Sequence, residues 1–161
     1  MSIILEGPNG SGKSTLGFRL GEATGLGVVH AGIAPKSRDE AIFRSREQIR
    51  SSNVILDRVT PISDYVYRMD NLPENLRTLY DAFNSTLSKS HVIIYCTADG
   101  KFTKKDYYTD DHYEEIVKNR LAIRNRYDEV MSKIPHIKYN FRSDDHENFI
   151  QFIKLHCPRY L

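Results

Sequence analysis

Tryptophan is absent from this sequence, and cysteine occurs only twice, at Cys96 and Cys157. Two isolated cysteines make neither a disulfide framework nor a zinc site. They read as reduced thiols, and a cytoplasmic protein is expected. Long apolar runs are missing too: no stretch approaches the ~20 residues that span a bilayer, so no membrane partner is expected. With a strand-like run starting at Ser2, no secretory leader is expected. Charge of one sign is also scarce. Lys and Arg number 23 against 21 Asp and Glu, a net charge of +2. That balance points away from a broad nucleic-acid surface and leaves room only for a local basic groove. There are no repeats, low-complexity tracts or Pro/Gly/Ser-rich linkers. The 161 residues make one domain over 1–161, as a monomer or homodimer.

What the sequence does have is concentrated near its start. Gly7-Pro8-Asn9-Gly10-Ser11-Gly12-Lys13-Ser14-Thr15 is a complete phosphate-binding loop of the form G-x-x-x-x-G-K-[ST]. Its glycines allow the tight or left-handed backbone that turns N–H groups inward on an anion. Lys13 reaches β- and γ-phosphates, and the Ser14 hydroxyl is a ligand for Mg²⁺. The apolar run at 2–6 before the loop suits a buried strand. Leu16 and Leu20 after it share one helical face, so a helix N-terminus meets the phosphates. The motif calls for a nucleoside triphosphate, ATP, with Mg²⁺.

Beyond the loop, strands and helices alternate. Strands are expected at 2–6, 28–30, 53–57, 91–96 and 136–139. Helices are expected at 13–23, from 35 to about 51, in one or two turns at 61–68, at 73–87, at 111–133 and from Asp144 or Asp145 to 155. Ser37 followed by Glu40 is a capping box. Leu76, Leu79, Tyr80 and Phe83 form one helical stripe, and Ile116, Leu121, Ile123, Tyr127 and Met131 supply much of the apolar content of the helix at 111–133. Such alternation implies an α/β fold with a central parallel sheet and helices on both faces. Ligands of such sheets bind at the carboxyl ends of the strands. The residues that follow each strand are therefore the candidates for chemistry.

Three classes that share the loop lack their further signatures here. There is no Asn-Lys-x-Asp of guanine-nucleotide switches, no Asp-Glu closing the second acidic strand as in ATPase motors, and no Leu-Ser-Gly-Gly-Gln of transporter ATPases. A kinase of small acceptors needs an acid near Mg²⁺ or the acceptor hydroxyl, a cation for the acceptor phosphate and a basic lid. Asp57, Arg58 and the lysines Lys101, Lys104 and Lys105 supply them. Asp57 would hold magnesium through water or orient the acceptor hydroxyl, and Arg58 would clamp an acceptor phosphate with its planar fork. Arg120 and Arg124 share a helix face and, with Arg126, can present charge to the triphosphate or stack on the adenine. Lys36, Arg38, His30 and the tyrosines Tyr65, Tyr67, Tyr107 and Tyr108 are secondary candidates for touching substrate.

Asp57-Arg58 at the end of an apolar strand, followed by Ser63 and Tyr65, resembles the Asp-Arg-(Tyr/His)…Ser…Tyr segment of thymidylate kinases. The run His30-Ala-Gly-Ile-Ala-Pro-Lys-Ser37 and the run Asp57-Arg-Val-Thr-Pro-Ile-Ser63 resemble small phage-encoded members of that superfamily. The resemblance implies a single-domain P-loop kinase fold and transfer of the ATP γ-phosphate to a deoxynucleotide, thymidylate-like acceptor. One branch of the superfamily phosphorylates the hydroxymethyl group of 5-hydroxymethyluridine in DNA, so modified DNA is the alternative partner. A module that binds ATP without turnover is a third reading. The sequence departs from the family pattern in its short length, in a lid position carrying lysine rather than arginine, and at Val59, where the family often has an aromatic residue or His.

Overall fold

The structure, a computed structural model, describes residues 1–98 and 113–157. Five strands, β1 (Ile3–Glu6), β2 (Gly27–His30), β3 (Val54–Asp57), β4 (Val92–Thr97) and β5 (Ile137–Asn140), form one sheet in the order β2-β3-β1-β4-β5. All four ladders are parallel. The intervening helices are α1 (Lys13–Thr24), α2 (Arg38–Arg50), α3 (Thr60–Tyr67), α4 (Glu74–Ser90) and α5 (Tyr113–Met131), and α6 (His146–His156) closes the chain. The single-domain α/β fold is therefore as the alternation of elements implied.

Central strands are buried on both sides, which explains why β1 and β4 read as continuous apolar runs. Ile3 and Leu5 point to one face, with Leu16 and Leu20 of α1 and Ile150 and Ile153 of α6. Ile4, Leu56 and Ile93 point to the other, with Ala41, Ile62, Leu76, Tyr80 and Tyr127 from α2 to α5. The stripe of α4 mostly sits as its spacing implied: Leu76 and Tyr80 are buried. On α5, Leu121 is 41% exposed, and the inward side is carried by Ile123, Tyr127, Val130 and Met131.

Local signals set the helix ends. Ser37 caps α2 by accepting from the Glu40 N–H. The Glu40 carboxylate accepts from the Lys36 N–H rather than from Ser37, so the capping box closes one residue early. Asp145 caps α6 through the Asn148 N–H.

Register decides where the chemistry lies. Leu5 pairs with Asp57, Glu6 with Tyr95, His30 with Asp57, and Thr97 with Asn140. One edge of the sheet thus collects Glu6, His30, Asp57, Thr97 and Asn140. The chain leaves β1 for α1 on one face and leaves β3 for α3 on the other. These adjacent strands open a crevice between them, where parallel α/β sheets bind ligands. No described helix is long and apolar enough to cross a membrane.

Candidate active site

The loop from Gly7 to Ser14 wraps the N-terminus of α1. Gly10 and Gly12 have φ of 78° and 80°, a backbone that only glycine takes without strain. A side chain at Gly10 would run into the Arg120 guanidinium, and one at Gly12 into the Phe141 ring. Arg120, on α5, and Phe141, just after β5, therefore close over the loop. Lys13 is buried and donates from Nζ to the Pro8 carbonyl at 3.0 Å. Burial, and then the Arg58 charge beside it, bring its pKa down from 10.5 to about 8. Ser14 and Thr15 stand exposed at the first turn of α1, where dipole and free N–H groups favour an anion.

Asp57 and Arg58 lie beside the loop. The Asp57 Oδ2 is 2.8 Å from the His30 Nδ1, while its Oδ1 is buried and has no hydrogen-bond partner. Arg58 has a left-handed backbone, φ 72°, fixed by its N–H donating to the Leu5 carbonyl at 2.9 Å. The guanidinium lies 5.4 Å from the Tyr67 ring centroid. It donates to the Asn9 Oδ1 at 2.8 Å, and to the Gly7 carbonyl and the Tyr67 hydroxyl at 3.3 Å.

Glu6 is a site residue that sequence reasoning missed. It is fully buried beneath the loop and accepts from the Val59 N–H at 2.6 Å, from the Ser63 hydroxyl and from the Tyr127 hydroxyl at 3.2 Å. Burial pushes its pKa from 4.5 to about 7, against the pull of the Val59 N–H and the Arg58 and Lys13 charges. One carboxyl thus ties the loop strand to α3 and α5. Its only sequence signal was an acid directly before the loop.

Next to Arg58 a cleft of about 320 Å³ opens between the loop after β2 and α3. Ile33, Ala34 and Pro35 form one wall; Val59, Thr60, Ser63 and Tyr67 form the other. Arg44, Arg68 and Asp64, also missed in the sequence, line it as well. Arg44 donates to the Ile33 carbonyl and pairs with Glu40. Arg68 grips Asp64 by two bonds of 2.8 and 2.6 Å, and the Tyr80 hydroxyl donates to the same carboxylate. A larger groove of about 470 Å³ between α4 and α5 lies behind α3, away from the loop.

The structure brings together Lys13, Asp57, Arg58, Arg120 and Arg124. The last two line a small pocket with Pro8, Asn9, Gly10 and Ser11. Arg126 does not join them; it pairs with Asp70. Tyr65 belongs to the core, and Tyr67 is the tyrosine of α3 that lines the cleft. Lys36 and Arg38 are exposed at the start of α2 and do not line the cleft. Lys101, Lys104, Lys105, Tyr107 and Tyr108 lie outside the described residues.

Neither a family model nor a curated protein matches the chain. Solved structures do. Over 98% of its length the chain is similar to the YorR protein of Bacillus subtilis, solved in complex with phosphorylated GDP, at 22% identity and a TM-score of 0.78, covering 96% of that chain. It is similar over its whole length to all of the deoxyadenosine kinase of M. mycoides, solved with dCMP and dCDP, at 18% identity and a TM-score of 0.59. Against the thymidylate kinase of Candida albicans the figures are 14% identity, a TM-score of 0.57, and 99% and 92% of the two chains. The fold is that of the P-loop kinases. In the P-loop kinase fold, then, this chain sets a phosphate loop, an acid, three arginines and an open cleft along one sheet edge.

Proposed function

We propose that the chain is an ATP-dependent phosphotransferase that passes the γ-phosphoryl group to a deoxynucleotide, thymidylate-like acceptor. The observation that carries this is the placement of Arg58 between the phosphate loop and a separate cleft of about 320 Å³, with Asp57 beside it and near Lys13. Such a volume suits one small ligand. A phosphate donor on one side and an acceptor on the other would meet at these two residues. The resemblance to thymidylate kinases and the nucleotide ligands of the structural neighbours support the choice of acceptor.

Ser14 and Asp57 fit a magnesium ion chelated mainly by phosphate. One offers a hydroxyl, and the other a buried carboxylate oxygen without a hydrogen-bond partner. The ion would neutralise phosphate charge. The protein's own part is positioning and charge. Lys13 leaves the Pro8 carbonyl for the β- and γ-phosphates. Arg120 and Arg124 face the triphosphate from α5. Arg58 holds the acceptor phosphate, and Tyr67 offers a flat apolar surface beside it. Phosphoryl transfer needs little covalent work from the protein, so this set is sufficient in kind.

The test is incubation with γ-labelled ATP and Mg²⁺ against a panel of deoxynucleoside monophosphates, plain DNA and hydroxymethyluracil-containing DNA. Label in free diphosphate is the expected result. Asp57→Asn is expected to cut turnover far more than ATP affinity. Label retained only in modified DNA would replace this reading by the DNA-kinase alternative. Label in neither, with ATP bound in a Lys13-dependent way, would leave an ATP-binding module.

A further inference from the structure

Asn9 sits exposed at the tip of the phosphate loop, at a position the loop motif leaves open to any residue. Two arginines from opposite sides of the site converge on it. Arg58, from the β3–α3 junction, donates to its side-chain Oδ1 at 2.8 Å. Arg120, from α5, donates to its backbone carbonyl at 2.6 Å. One of these arginines faces the acceptor cleft and the other the triphosphate loop. Asn9 is neutral, so it holds the Arg58 guanidinium by a dipole rather than by a full charge. A phosphate oxygen forms a stronger, charge-assisted bond to the same fork.

From this geometry we infer that Asn9 is a latch that couples the two sites, a positioning residue for Arg58. The inference rests on the phosphotransferase reading above and deepens it. The triphosphate draws Arg120 and rearranges the tip of the loop, and Asn9 then loses its hold on Arg58. Arg58 keeps its platform, the Tyr67 ring and hydroxyl, and is free for an acceptor phosphate. Donor and acceptor therefore bind with positive coupling, and each raises the affinity of the other by the same factor. The choice of residue follows from the task. Alanine would leave Arg58 to the Gly7 carbonyl and Tyr67, and aspartate would hold it more firmly through a full charge.

The experiment is calorimetric titration of dTMP into the full chain, alone and saturated with Mg²⁺ and a non-hydrolysable ATP analogue, for wild type and Asn9→Ala. Wild type is expected to bind dTMP about five-fold or more tightly with the analogue present. In Asn9→Ala, dTMP alone should bind about as tightly as it binds the wild-type analogue complex, so the ratio falls to about one. A second measurement needs no acceptor. The Arg58 Nε–H resonance, assigned by its loss in Arg58→Lys, should move when inorganic triphosphate is added to wild type. In Asn9→Ala it should start near the displaced position. Full coupling in Asn9→Ala, a wild type that binds dTMP without coupling, or an Arg58 resonance indifferent to triphosphate would each overturn the latch alone. A wild type that binds no dTMP in either state would overturn the acceptor reading beneath it, and the latch with it.

Discussion

At the residue scale, two ionisable groups under the loop set opposite demands on pH. The folded chain keeps the Glu6 proton up to about pH 7, whereas the unfolded chain gives it up near 4.5. The folded state therefore binds more protons between these values, and stability falls as pH rises through them. Lys13 works the other way. Its folded pKa of about 8 lies below the unfolded 10.5, so the cost of burying its charge is present below pH 8 and is relieved as pH climbs toward 10.5. This pair makes its least favourable contribution between pH 7 and 8. Urea unfolding at pH 5 and pH 7.5 should show wild type losing roughly 1–3 kcal/mol between the two, with the loss largely absent in Glu6→Gln. Arg58 carries a different cost. A left-handed backbone costs a non-glycine residue about 1–2 kcal/mol, so Arg58→Gly should unfold at higher urea than Arg58→Ala, by about 1 kcal/mol, although both lose the guanidinium. Equal stabilities for the two would show that the φ of 72° is not under strain. Of these residues the sequence declared Lys13, Asp57 and Arg58, because motif and strand end mark them. It did not declare Glu6, whose partners Ser63 and Tyr127 lie 57 and 121 positions away. An acid closing an apolar run looks like any strand end until the helices above it are packed.

At the element scale, the central strands were legible because β1, β3 and β4 are short apolar runs, and α2 and α6 because a side chain caps the start of each. The two side-chain caps are open to direct test. Ser37 and Asp145 each accept from the N–H three residues on, and Ser37→Ala or Asp145→Ala should each cost about 1 kcal/mol in urea unfolding. Less legible were the faces of helices that build the cleft. Arg44 and Arg68 each have an acid four residues earlier, Glu40 and Asp64, a spacing that also describes an ordinary surface ion pair. Only the fold shows that both arginines border a cleft, and that Asp64 is buried with Tyr80 donating to it. Which apolar residues of α5 turn inward is likewise decided by its packing on α3, where Tyr127 lies edge-on against Tyr67.

At the scale of the whole molecule, alternation of strand and helix was enough for the architecture, while strand order came only from the structure. The sequence says that five parallel strands exist; the order β2-β3-β1-β4-β5 says which two are neighbours at the crevice. That order has a consequence for how the chain is made. Of the five strands the central one is synthesised before the others, and both of its neighbours come later, β3 at Val54–Asp57 and β4 at Val92–Thr97. Until residue 97 has left the ribosome, β1 has an unpaired edge, and Ile3, Ile4 and Leu5, all fully buried in the finished protein, lack part of their cover. Parallel pairing across such separations is slow, and exposed strand edges invite aggregation. The nascent chain therefore carries its central strand only partly covered until β4 has been made. The same strand leads directly into the phosphate loop, so the nucleotide site takes shape only after β4 has been translated.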